Sequence, residues 1–443
     1  MGSVIGTIFA FALVFGILVF VHEFGHFFTA KLLNINVEVF SFGYGKRLFG
    51  FKRKETDYRV SLIPMGGYVK FSGEDVMEQD KEPAPGDFNN AKRWQRFLVI
   101  LMGPLMNIFL AIFFMAVINM VGVSVPKYLQ ETPVIGWIAP DSPAARSDLQ
   151  VDDVILSING KKTETWNEVE LAVGTKPDKT IEIEVKRDDE TRIVELTTES
   201  KTRFEMGYAG FFGKINTQIE MIEPNSPADK GGMKPGDIIT AVNGEPTYYY
   251  KFVEILEANP GNELTITVKR DEELLDLKVT PRQEGDIGKI GILHTAASEI
   301  EQYGFFKSFS KSVEDNIELI GLVVGFIKGL ITGESSTSQM GGPLEIANIS
   351  YTAFRAGILA LMSFIAFISL QLGIINLFPI PVMDGGQILV LALEGLFRRD
   401  FSLKVKQVIM QIGFAIFIFL IVFVILNDVQ KRLPNGWNSF IPF

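Results

Sequence analysis

Apolar residues are not spread along this chain but gather in four long runs that carry almost no charge. The runs are Val4–Val21, Phe97–Val125, Ala356–Met383 and Val408–Leu426. Each approaches or exceeds the roughly 20 helical residues that cross a ~30 Å hydrocarbon core. A shorter run, Leu319–Ile331, contains Lys328 and predicts an amphipathic or interfacial helix rather than a fifth span. Between the second and third runs the pattern changes to short alternating segments such as Thr180–Lys186, the period of half-buried strands.

That middle block repeats. Pro140–Gly160 aligns without gaps on Pro224–Gly244, and Val185-Lys-Arg-Asp188 matches Val268-Lys-Arg-Asp271. Each copy reads as a strand, a short helix after Ser-Pro, a buried strand (Val154–Ile158 or Ile238–Val242), an Asn-Gly turn, a helix and alternating strands. Two copies of one small domain follow. The pattern resembles the PDZ domain in its bacterial, circularly permuted form, which implies binding of extended peptides by strand addition. Gly207-Tyr208-Ala209-Gly210 is a candidate carboxylate-binding loop, the alternative being a plain turn between the domains.

Charge separates the block from the rest. The chain carries −10 overall, yet residues 126–355 hold 38 acidic and 24 basic side chains, a net of −14, and leave the remainder at +4. An acidic block argues against nucleic acid as a partner. The absence of cysteine excludes disulfides and thiolate metal sites. Any metal must therefore be held by His, carboxylate or amide groups.

Basic residues in short loops set membrane orientation. The connection Lys31–Arg96 holds twelve of them and Pro379–Gln407 four. These loops are expected in the cytoplasm, with both termini and the 126–355 block outside. Lys431 and Arg432 near the C-terminus point mildly the other way. The first run lacks a basic leading segment and a small-x-small cleavage site, so it reads as a retained span rather than a signal peptide.

Candidate chemistry lies at the end of that span, in His22-Glu23-Phe24-Gly25-His26. Residues i and i+4 share a helix face, so the two imidazoles can converge on one tetrahedral metal, with Glu23 placed as general base. Ionisable groups inside a span cost roughly 2.5 kcal/mol or more and mark function by default. The third histidine, His294, reads instead as a surface or strand-end residue. Catalytic zinc takes three protein ligands and keeps an open position. Asn376-Leu-Phe-Pro379-Ile-Pro381-Val-Met-Asp384-Gly385-Gly386 offers the third. His22 lies about 28 Å along the first span, near the face where the third span must also end. Asp384 is thus a ligand candidate, the alternative being a turn residue just outside the membrane.

With both segments in hand, the chain resembles the site-2 protease family of intramembrane zinc metalloproteases, over nearly its whole length. Pro64–Lys70, Gly103-Pro104-Leu-Met-Asn107 and Gly342–Ala347 belong to the same resemblance. It implies one zinc ion on His22, His26 and Asp384, Glu23 as the catalytic carboxylate, and Asn376 engaging the substrate backbone. It also implies a membrane-associated β-hairpin, fitted by Val37–Phe42 and Tyr58–Ile63 and followed by Gly66-Gly67-Tyr68 as further substrate contacts. An ordinary cytoplasmic hairpin with basic, membrane-facing residues is the alternative. Gln387 after the two glycines, and a first repeat without a clear ligand loop, depart from the family pattern.

The expected fold is a polytopic α-helical membrane protein with four transmembrane helices, a membrane-associated β-hairpin and an extracytoplasmic tandem of PDZ-like α+β domains. The expected divisions are residues 1–125 for the first two spans and hairpin, 126–214 and 215–297 for the PDZ-like domains, 298–355 for an amphipathic linker, and 356–443 for the last two spans. The resemblance places the chain in a bacterial inner membrane, cutting single-span membrane proteins such as an anti-sigma factor of the envelope stress response, and remnant signal peptides. Two other readings stay open: a membrane-anchored zinc protease acting on soluble or peripheral substrates at the cytoplasmic face, and a non-catalytic PDZ scaffold.

Overall fold

Among the described residues, four helices are long and apolar enough to cross a bilayer: Val4–Leu32, Arg93–Val121, Ile358–Asn376 and Lys404–Gln430. The computed structural model describes residues 2–73, 84–201, 206–333 and 335–431. By contacts it divides into a helical unit and a second unit, Val123–Glu301 with Gly329–Gln339.

Helix boundaries depart from the apolar runs for identifiable reasons. The second span stops at Val121 because Gly122, at φ 102°, turns the chain out of the helix. Val123–Pro126 then forms a strand paired with Ser298–Glu301. The third run holds one span, Ile358–Asn376, and the turn that follows it, while Pro343–Ala356 and Asp384–Leu396 are separate helices on either side, with Gly357 at φ 111° breaking the first junction. Pro379 and Pro381, which lack the N–H a helix needs, lie in the second. The predicted interfacial helix is longer than its apolar stretch and runs Phe305–Thr332.

Apolar burial holds the spans together. Val14 and Leu18 of the first pack on Leu361, Phe364 and Ile365 of the third, and Ala111 of the second packs on Ala366, Leu370 and Ile374. Small residues allow this closeness, since a Cβ on Gly25 would collide with the Met102 carbonyl. The fourth span instead exposes a row of large apolar side chains, among them Phe414 and Phe419, a surface suited to lipid rather than water.

The strands after the first span form more than the predicted hairpin. Val37–Arg53 and Thr56–Phe71 pair antiparallel, but both bend. Residues 39–42 pair with 57–60 on one side and 67–70 on the other, while 49–53 pair with 56–60. The result is a curled sheet of four segments in the order 49–53, 56–60, 39–42, 67–71, with Gly67–Phe71 at one edge. Val37 and Phe71 at its base pack on Ala30, Phe88, Val99 and Ile100, which fixes the edge against the first and second spans.

In the second unit each repeat has its own core, one around Ile155, Ile183 and Trp166, the other around Ile239, Ile266 and Phe252. The matching sequence positions make matching ion pairs. Arg187 reaches Asp153 at 2.7 Å and Arg270 reaches Asp237 at 2.7 Å. His294 is not at a strand end but within Ile292–Ala296. Its ring lies 4.8 Å from Tyr249 and 6.2 Å from Phe252, and burial pushes its pKa down. Gly207–Gly210 lies inside the first repeat, where Met206–Tyr208 pairs with Glu199–Lys201 and Gly210 turns at φ 84°.

Candidate metal centre

Three chain segments bring the ionisable groups of the helical unit together. His22 and His26 project from one face of the first span, and their rings stand 4.7 Å apart. Asp384 is the first residue of its helix, delivered by the turn 377–383. That turn is tight: Met383 N–H donates to the Ile380 carbonyl at 2.8 Å and Gly386 N–H to the Met383 carbonyl at 3.0 Å. A Cβ on Gly385 would strike the Leu377 carbonyl, and one on Gly386 the Ile380 carbonyl. The glycine pair therefore lets the new helix start flush against the broken end of the old one.

The donor set fits zinc. His22 Nε2 stands 3.1 Å from Asp384 Oδ2, His26 Nε2 3.6 Å from Asp384 Oδ1, and the two Nε2 atoms are 3.2 Å apart. Ligand bonds of about 2.0–2.1 Å in a tetrahedron put neighbouring ligand atoms roughly 3.3 Å apart. Both histidines are buried and Asp384 nearly so. His26 Nδ1 donates to the Val99 carbonyl at 2.8 Å, so its Nε2 keeps the lone pair that a metal takes. The second span makes room for that ring at Gly103, where a Cβ would overlap it.

Glu23 points to a different neighbour from the two histidines. Its Oε2 accepts the Val69 N–H of the sheet edge at 3.0 Å, and its Cγ stands 3.8 Å from where a Gly67 Cβ would lie. Gly67 is thus beside the carboxylate. Tyr68 points elsewhere, stacking on Tyr44 at 5.9 Å and hydrogen-bonded by Arg59. Gly66, at φ 111°, packs against the Tyr44 ring. A cavity of about 320 Å³ joins the parts, lined by His22, Glu23, His26, Asp384 and Asn376 with Val69, Phe71, Phe88, Ile100, Met383, Gln387 and Phe417.

Several of these contributors carry no signal in the sequence. The Val69 N–H and Val99 carbonyl are backbone groups, which any residue type could supply. Phe417 lies in the fourth span amid similar phenylalanines. Gly103 and Asn107 share the motif Gly103-Pro104-Leu-Met-Asn107, whose residue types by themselves assign neither a role. Asn107 is fully buried with its amide 3.5 Å from His22 Nδ1.

Comparison with known proteins agrees with this chemistry. The model of peptidase family M50 matches residues 10–420. The chain is 32% identical over 452 residues to the regulator of sigma-E protease RseP of Salmonella typhimurium, covering 97% of this chain and 99% of that one. It is equally identical over 446 residues to the Escherichia coli protein of that name, covering 95% and 98%. Protease RseP of Yersinia pestis is 32% identical over 455 residues, covering 97% and 100%. A crystal structure of the PDZ domain of an SdrC-like protein from Listeria monocytogenes aligns with 19% of this chain and 87% of that one, at 20% identity and TM-score 0.17, too slight a likeness to assign a fold.

Proposed function

The chain belongs to peptidase family M50 and is a metalloprotease; from that premise we propose an intramembrane zinc endopeptidase of the site-2 type, cutting single-span membrane proteins after another protease has trimmed their outer domains. The observation that carries the reading is the meeting of His22 and His26 with Asp384, at 3.1 and 3.6 Å, at the end of an apolar helix. Because the relatives are regulators of sigma-E protease, the proposed substrate is an anti-sigma factor of the envelope stress response, with remnant signal peptides as further substrates. The proposed setting is a bacterial inner membrane, with termini and repeat block periplasmic and the site near the cytoplasmic side. The repeats act there as a PDZ-like filter against bulky outer domains.

His22, His26 and Asp384 would hold a single zinc ion, which supplies the charge that acidifies a water and polarises the scissile carbonyl. Glu23 takes the proton of that water on its carboxylate and returns it to the departing amine. The Val69 N–H holds that carboxylate in place at 3.0 Å. A helical substrate hides its amides, so cleavage requires local unwinding. The edge Gly67–Phe71 beside the cavity offers a template on which an unwound stretch can pair, and Asn376 adds a side-chain amide for the substrate backbone.

The test is cleavage of a transmembrane peptide by the detergent-solubilised chain, wild type beside Glu23→Gln. Glu23→Gln is expected to keep zinc and lose cleavage by at least about 100-fold, the usual contribution of a general base. Continued cleavage by Glu23→Gln would refute the assigned role. Mass spectrometry finding cuts only outside the span would favour a membrane-anchored protease of soluble substrates.

A further inference from the structure

Asn107 of the second span is wholly buried, and its side-chain Nδ2 lies 3.5 Å from His22 Nδ1 while its Oδ1 has no hydrogen-bond partner among the described residues. The two ends of a carboxamide exchange places by a half-turn of the last bond, with almost no change in shape. What decides between them is where the histidine carries its proton.

That proton can be placed. The Val99 carbonyl only accepts, so His26 carries its hydrogen on Nδ1 and presents a bare Nε2. His22 Nε2 faces the same point, 3.2 Å from His26 Nε2 and 3.1 Å from Asp384 Oδ2. A neutral imidazole that gives its Nε2 lone pair to a metal must hold its hydrogen on Nδ1. That Nδ1 faces Asn107. The half-turn moves the unpartnered atom from oxygen to nitrogen, so the proton on the histidine settles the choice, not the number of hydrogen bonds. Ser369 steadies the position, its hydroxyl donating to the Asn107 backbone carbonyl at 2.7 Å.

We infer that Asn107 is a positioning residue whose amide oxygen accepts the His22 Nδ1–H, locking that ring in the tautomer that offers Nε2 to zinc. The second span then holds both histidines in one manner, through the Val99 carbonyl for His26 and the Asn107 side chain for His22. The inference rests on His22, His26 and Asp384 being the ligand set.

The experiment measures zinc affinity of the full-length protein in detergent, by metal content against graded chelator, for wild type, Asn107→Leu, Asn107→Asp and Asp384→Asn. Leucine matches the size and accepts nothing; aspartate accepts and cannot donate. Asn107→Leu is expected to bind zinc about 10–100-fold more weakly, the usual effect of losing such a support, with Asn107→Asp within about threefold of wild type. A purely structural role predicts the reverse order, because leucine suits an apolar span and a buried carboxylate does not. Should Asn107→Asp fail to fold, Asn107→Ser, which also accepts, is expected to bind more tightly than Asn107→Leu. Wild-type affinity in Asn107→Leu, or an accepting variant no tighter than leucine, overturns the inference. Wild-type affinity in Asp384→Asn would instead overturn the ligand set beneath it.

Discussion

Gly103 is the point at which the second span yields to the metal centre. A Cβ there would overlap the His26 ring, which cannot shift without straining its Nδ1 hydrogen bond to the Val99 carbonyl. Gly103→Ala is therefore expected to push His26 out of line and weaken zinc binding by about tenfold or more, read by the same chelator competition, while an alanine in mid-helix favours the helix itself. In the repeat block the exposed consequence is pH dependence. Burial works to raise the Asp153 carboxyl, but the Arg187 guanidinium and the Gln150 N–H outweigh it and hold its pKa below the ordinary 3.8. A depressed folded-state pKa stabilises above the unfolded value and loses that stability as pH falls through the folded one. Unfolding of the repeat block should thus become easier below about pH 4. Asp153→Asn, which takes the carboxylate from Arg187 and leaves it only its Asp148 contacts, should destabilise the first repeat by about 1.5–3 kcal/mol in a denaturant titration and flatten that acid limb.

Among the elements, the edge strand Gly67–Phe71 ties the sheet to the chemistry through one backbone group. The Val69 N–H serves Glu23 rather than the ladder to residues 39–42. Val69→Pro removes that donor, and an edge strand tolerates proline where the N–H points outward. The expected outcome is unchanged zinc content with cleavage at least about tenfold slower, since a loosely held general base is a poorer one. A strand that collapses instead would show as loss of zinc as well. The same strand marks what could be read beforehand. HEFGH and the Pro- and Gly-broken segment before Asp384 were legible because helical spacing and helix breaking are properties of residue types. The central segments of the sheet were visible as Val37–Phe42 and Tyr58–Ile63. The segment 49–53 was hidden, because Lys46, Arg47, Lys52, Arg53 and Lys54 read as a basic loop, and glycines at 43, 45 and 50 with positive φ produce a curl that no alternation reports.

At the scale of the molecule, every group proposed for the chemistry comes from the helical unit, while the repeats fold around two cores of their own. The block also begins and ends at one place, because Val123 pairs with Glu301 and Pro126 with Ser298. Paired residues on adjacent antiparallel strands have Cα atoms only about 4.5–5.5 Å apart, so a few Gly and Ser residues can join Gly122 to Gln302 without stretching either helix. Excising Val123–Glu301 in this way should leave zinc affinity within about threefold of the full chain, because none of the ligands, nor Val69, Val99 or Asn107, is removed. Cleavage of a bare transmembrane peptide should persist for the same reason. If the repeats act as a size filter, the shortened chain will also cut single-span substrates that still carry their folded outer domains, which the full chain leaves intact. A shortened chain that keeps zinc yet still refuses untrimmed substrates would show that selection lies in the helical unit itself.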